Sequence, residues 1–235
     1  MQVKLPGYVM SGKFRRLKGV AGVEITNSGA CIDFLNFLCC HIGMATTGKL
    51  RKPLELTVDK DWLMGARRVP SPNLDARAGG TTIDTIVVHG ISLPPGIYGG
   101  PYIEHLFTNQ LDCAVHPYFL EINNLRVSAH VLIDRNGQLT QFVPFSARAR
   151  HAGASVFQGR PDCNEYSIGI ELEGCDDKAY EQCQYATLAE VVQVLRQQWP
   201  AITTTRIVGH SDIAPGRKTD PGPAFDWNYL FNLIG

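Results

Sequence analysis

The run Thr82-Ile83-Asp84-Thr85-Ile86-Val87-Val88-His89 constrains the fold more than any other stretch of the chain. Its β-branched residues do not alternate with polar ones, so both faces of the strand need apolar cover. Such a strand belongs inside a sheet with other elements packed on it. Ligand sites commonly lie just beyond the carboxyl ends of strands of this kind, and His89 stands at that end. A lone histidine there is more often structural than a ligand, so its meaning depends on what the chain brings beside it.

The remaining elements fit around that strand. In Tyr166–Gly174, Ile168, Ile170 and Leu172 share one face, and Ser167, Gly169, Glu171 and Glu173 share the other. A glycine and two carboxylates make the second face either solvated, as on a guarded sheet edge, or the floor of a site. Arg126–Ile133 and Gln138–Val143 read as strands. Between them Asp134-Arg135-Asn136-Gly137 predicts a type I′ hairpin turn. From Gln184 to Trp199, Tyr185, Leu188, Val191, Val192, Leu195 and Trp199 recur with helical spacing, and Pro200 closes the helix. Pro101 opens a short helix through Phe107. Thr203–Val208 reads as a strand, and Asp226 caps a last helix from Trp227 to Ile234. Strands mixed with helices predict an α/β (α+β) domain with a mixed central sheet.

Residues 1–53 differ from the rest, with no clean period and no chemical constellation, and are expected to be a dispensable extension. The functional unit is residues 54–235. Lysine and arginine total 22 and so do aspartate and glutamate, which gives no electrostatic footprint for nucleic acid or an anionic membrane. No apolar run reaches the roughly 18 residues that spanning a bilayer needs. The seven cysteines, two of them adjacent, make a poor disulfide framework and are expected to be reduced in a cytoplasm.

A second histidine carries the chemistry further. The short apolar run Ile207-Val208 delivers His210, and a loop rich in proline and glycine then presents Lys218 and Asp220. Two residues apart on an extended segment, these last two would point the same way. A solvated surface loop is the competing reading. His89, His210 and Asp220 together offer three ligands with one position open, the pattern of a catalytic zinc. Glu171 is available as the base for a water proton, and Lys218 as a cation for an oxyanion. The same ligand types also suit a non-haem iron oxygenase. His130 reads as a satisfied buried histidine and His151 as a loop residue able to line a pocket. His105 and His116 have no supporting context.

Five stretches then carry a resemblance. They are Ala66–Pro72, Val87–Gly96, Leu125–His130, Ile168–Gly174 and Gly209–Pro223 with its Lys218-Thr219-Asp220-Pro221-Gly222-Pro223 end. In order and spacing they resemble the AmpD-type N-acetylmuramoyl-L-alanine amidases from about residue 56 onward. The resemblance implies a mixed sheet flanked by helices, shared with peptidoglycan recognition proteins. It implies a cytoplasmic enzyme of cell-wall recycling, acting as a monomer with one zinc ion on 1,6-anhydro-N-acetylmuramyl peptides. It also implies His89, His210 and Asp220 as zinc ligands, Glu171 as general base, Lys218 as transition-state stabiliser and Arg126 as a substrate-holding residue. Gly90 departs from the asparagine that relatives often carry after the first ligand, and Asp162 from a basic residue in some of them. An exported murein amidase would need a signal peptide or a wall-binding module, and neither is evident. A non-catalytic recognition protein would be expected to lack a ligand, and all three are present.

Overall fold

The computed structural model describes residues 56–235, so the extension expected over residues 1–53 lies outside the described residues. A six-stranded sheet contains β1 (Arg67–Arg68), β2 (Thr85–Ile91), β3 (Val131–Ile133), β4 (Leu139–Gln141), β5 (Ser167–Glu173) and β6 (Ile207–Gly209). Their spatial order is β6-β2-β5-β3-β4-β1. The first four in that order run parallel, β4 returns antiparallel to β3, and β1 lies parallel to β4. The sheet is mixed, as the sequence predicts.

The long apolar strands take the centre because both of their faces are covered. Ile86 and Val88 of β2 and Ile168, Ile170 and Leu172 of β5 pack with α3 (Gln182–Gln198) and α5 (Trp227–Ile234). The helix contributes the predicted stripe, with Tyr185, Leu188, Val191, Val192 and Leu195 all buried. Burying side chains of this size contributes about 1.5–3 kcal/mol each, so the stripe holds α3 on the sheet. Glu181 and Gln184 close its first turn as a capping box, and Asp226 accepts the Tyr229 amide at the start of α5. On the other face Val87 packs with Ala152, Cys163, Tyr166 and Ile213. α1 (Tyr102–Phe107) and α2 (Pro117–Ile122) form a third apolar cluster with Leu93, Ala129 and Phe142. Among the described residues no helix is long and apolar enough to cross a membrane, and Cys113, Cys163, Cys175 and Cys183 are free.

Local geometry departs from expectation along the sheet. The predicted strand over Arg126–Ile133 shortens to Val131–Ile133, because Ser128 hydrogen-bonds Arg150 instead of a sheet neighbour. The hairpin turn is not type I′: Gly137 alone has a positive φ, +72°, while the Asp134 side chain accepts the Asn136 and Gln138 amides at 2.8 Å. The carboxylate thereby stabilises a turn with one left-handed residue rather than two. Thr204–Arg206 forms a 3₁₀ turn, so only Ile207 and Val208 of the predicted last strand pair, with Gly209 added at its end, and Arg206 instead reaches back to Asp84.

Candidate metal centre and active site

Strand register places the site. Parallel pairing sets His89 opposite Glu171, and Gly209 opposite Val88. His210 follows Gly209 as the first residue of the one-turn helix α4 (His210–Ile213), where the sequence predicts a loop. Three neighbouring strand ends therefore deliver His210, His89 and Glu171 side by side. Asp220 arrives from the loop after α4, and its carbonyl accepts the Ser211 amide at 3.0 Å. That loop is turned, not extended: the Arg217 and Lys218 amides both donate to Ala214 O. The turn, rather than strand alternation, brings Lys218 and Asp220 to the same cleft.

His89 Nδ1, His210 Nδ1 and Asp220 Oδ2 meet at 2.9, 3.0 and 3.1 Å from one another. The outer hydrogen bonds decide where the ring protons are. Ala152 O only accepts, so His210 Nε2, 3.2 Å away, carries the hydrogen and Nδ1 of the neutral ring keeps its lone pair. Ser167 Oγ donates to Cys163 O and so accepts from His151 Nε2 at 3.2 Å. His151 Nδ1 then accepts from His89 Nε2 at 2.9 Å, which leaves His89 Nδ1 unprotonated too. Burial lowers the His89 pKa to about 4 and holds His151 well below its ordinary value, so both rings are neutral at pH 7. Three lone-pair donors thus converge with no hydrogen between them. That arrangement suits a cation, and two imidazole nitrogens with one carboxylate oxygen are a donor set for catalytic zinc.

A cleft of about 690 Å³ opens over these groups, lined also by Glu171, His151 and Lys218. Glu171 is buried and its Oε2 has no hydrogen-bond partner. Burial raises its pKa well above the usual carboxylate value, with Asp220 adding to the shift and Lys218 opposing it. The other carboxylate of that face, Glu173, is occupied structurally, accepting the Gly99 and Arg135 amides at 2.6 and 3.2 Å. Lys218 is exposed at the rim. Arg126 is placed differently: its guanidinium donates to the Asn123 and Leu125 carbonyls and does not line the cleft, whereas Arg150 and Arg217 do.

The other histidines separate cleanly. His130 is buried and satisfied, accepting the Gly169 amide at 3.0 Å with Nε2 3.2 Å from Ala147 O. His116 accepts the Tyr118 amide at the start of α2. Sequence reasoning did not find Tyr180 or Asn164 beside the site, whereas Ser167 lay on the face it read as a possible site floor. Tyr180 donates to Pro221 O at 2.9 Å and so holds the residue after Asp220. The signal lay in Gly90, where a Cβ would sit 2.3 Å from the Tyr180 hydroxyl. A glycine directly after a proposed ligand marked a close approach by another side chain. Asp162, the other departure, pairs with Arg148 away from the cleft.

With this geometry established, comparison with known proteins gives a consistent answer. The N-acetylmuramoyl-L-alanine amidase family model matches residues 79–223. The 1,6-anhydro-N-acetylmuramyl-L-alanine amidase AmpD of Escherichia coli K12 is 56% identical over 172 residues, 73% of this chain and 93% of its own length. AmpD of Citrobacter freundii is 55% identical over 179 residues, 76% of this chain and 95% of its own length. A crystal structure of a selenomethionine derivative of AmpD superposes with a TM-score of 0.74 at 53% identity, covering 76% of this chain and 99% of that one. The chain belongs to the N-acetylmuramoyl-L-alanine amidase family.

Proposed function

We propose that this protein hydrolyses the amide between the lactyl group of 1,6-anhydro-N-acetylmuramic acid and L-alanine of the stem peptide, using one zinc ion, in the recycling of cell-wall muropeptides. The observation that carries the reading is the convergence of His89, His210 and Asp220 beside an unpartnered, buried Glu171 Oε2. The names of the AmpD relatives supply the substrate class. The free cysteines fit a reducing compartment, and we place the reaction in the cytoplasm with the chain acting as a monomer.

His89, His210 and Asp220 would hold the zinc, which supplies Lewis acidity and lowers the pKa of a water molecule. Glu171 takes a proton from the attacking water at Oε2 and returns it to the departing alanine nitrogen as the C–N bond breaks. Burial raises its pKa, which makes the ionised carboxylate a stronger proton acceptor. Lys218, at the rim of the same cleft, faces the charge that develops on the amide oxygen. Arg126 offers an exposed cation beside Leu125 and Val127, which line the cleft, and swings to a substrate carboxylate. Residues 1–53 are dispensable for this chemistry. That is supported by the Escherichia coli relative, 93% of whose length is matched by 73% of this chain.

The test is mass spectrometry of a defined 1,6-anhydromuramyl tripeptide after incubation with the purified protein. Free tripeptide and anhydromuramic acid are expected without chelator and neither with it. An intact substrate in both arms contradicts the reading.

A further inference from the structure

We infer that Asn164 is a positioning residue that sets both histidine ligands at once, through the backbone of a single dipeptide, His151-Ala152. The inference rests on the zinc site proposed above and concerns what holds it in shape.

The two imidazoles come from different strands, β2 and β6, yet their outer partners are consecutive in sequence. His151 receives the His89 Nε2 hydrogen, and Ala152 O receives that of His210. The backbone amides of these same two residues both donate to one atom, Asn164 Oδ1, at 2.9 and 2.7 Å. Asn164 is itself buried, in the short 3₁₀ turn Cys163–Glu165 just before β5. A displacement of that oxygen therefore moves the partners of both ligands together. Two further contacts complete the seat. The His151 ring lies directly over Gly169, where a Cβ would come within 2.3 Å of the ring. Arg217 donates to Ala152 O at 2.7 Å, so this carbonyl is shared between a cation and a ligand.

The chemical consequence concerns tautomers. A histidine ligand offers Nδ1 only if its hydrogen stays on Nε2, and an outer acceptor is what keeps it there. If the dipeptide shifts, either ring is free to place the hydrogen on Nδ1 toward Asp220. It then competes with the metal for the same lone pair. Asn164 touches neither substrate nor metal ligand, so its effect on the reaction passes wholly through this loop.

The experiment uses the full chain and three variants. Asn164→Leu keeps the volume and loses the acceptor, Asn164→Asp keeps an acceptor, and Ser167→Ala removes the acceptor that orients His151. Zinc affinity is measured by competition with a chromogenic chelator. Long-range ¹⁵N NMR of the metal-free proteins reports which ring nitrogens carry hydrogen. The metal-free unsubstituted chain should show His89 and His210 protonated at Nε2 only. Asn164→Leu should bind zinc about 10- to 100-fold more weakly and lose that single tautomer at both histidines, with Asn164→Asp restoring both. Ser167→Ala should disturb His89 while leaving His210 unchanged, and if Asn164→Leu does not fold, Asn164→Asp decides the case, because loss of the single tautomer or of zinc affinity in a variant that keeps the acceptor overturns the inference. A purely packing role predicts lower melting temperatures with unchanged tautomers and zinc affinity, and that result overturns the inference. So does an Nδ1-protonated ligand ring in the unsubstituted chain. Failure of the functional reading is separate, because it appears as no zinc binding or no hydrolysis by the unsubstituted chain.

Discussion

His89 and Glu171 are register partners on adjacent parallel strands, so a proposed metal ligand and the proposed base leave the sheet at the same level. The same sheet brings His210 alongside His89, because Gly209 is paired with Val88 one residue earlier. Glu171→Gln keeps this shape and removes the proton acceptor. The expected loss in kcat is about 10²–10⁴-fold, the usual contribution of a positioned general base. Zinc content should be unchanged. The variant should also unfold at higher temperature at pH 7, since a buried carboxylate with a raised pKa destabilises the fold once ionised. Steady-state kinetics, metal analysis and thermal denaturation check the three parts.

Lys218→Ala separates oxyanion stabilisation from metal binding. A fixed cation gains most when the amide oxygen becomes a full oxyanion, so kcat should fall about 10²–10³-fold. Zinc occupancy should hold, because the ammonium adds repulsion beside a divalent cation rather than cohesion. A near-normal kcat in the zinc-loaded variant would remove Lys218 from the mechanism.

Arg126→Ala should act on substrate binding alone. Its guanidinium donates only to the Asn123 and Leu125 carbonyls, so no contact to Glu171 or the ligands is lost. KM is expected to rise while kcat stays constant. A fall in kcat at saturating substrate would give it a role at the reacting centre instead.

Much of this arrangement was legible in the chain. The two-sided apolar cover of Ile86–Val88 fixed β2 as an interior strand, and the alternation of Ile168, Ile170 and Leu172 left Glu171 facing the site. What sequence could not supply was contact between distant loops. Asn164 gives no periodic signal, and its role exists only because its side chain reaches His151 and Ala152. The hairpin turn was misassigned because Asn-Gly fits a type I′ turn, whereas here the Asp134 carboxylate captures two amides and favours another. Lys218 and Asp220 reached the cleft by a turn built on Ala214 O, a geometry that two-residue spacing does not reveal.

The buried histidines make stability depend on pH. Burial, with the Arg77 charge adding to it, lowers the His130 pKa from 6.5 to about 3. Between these values the unfolded chain binds a proton that the folded chain does not, so stability rises with pH across that window and is complete above it. Glu171 works in the opposite direction as pH falls, so the comparison must isolate one group. His130→Asn retains an acceptor for the Gly169 amide without titrating. The stability difference between the two proteins should shrink by about 1.4 kcal/mol per pH unit below 6.5. Urea denaturation of the metal-free proteins from pH 7 to pH 4.5 measures it, and a constant difference would contradict the assignment.

Deleting residues 1–53 should leave kcat, KM and zinc affinity unchanged, as no proposed ligand, base or cation lies in them. A marked loss in any of the three would show that the family domain needs the segment.

The central claim, that His89, His210 and Asp220 hold one zinc ion on which amide hydrolysis depends, is tested most directly by titrating metal-free protein with Zn²⁺ while following cleavage of an anhydromuramyl peptide. The rate should rise from near zero in proportion to added zinc and level off at about one equivalent, with Asp220→Ala failing to reach that plateau because an open site with two ligands holds the ion weakly. Full activity before any zinc is added, or a stoichiometric plateau in Asp220→Ala, would contradict the account.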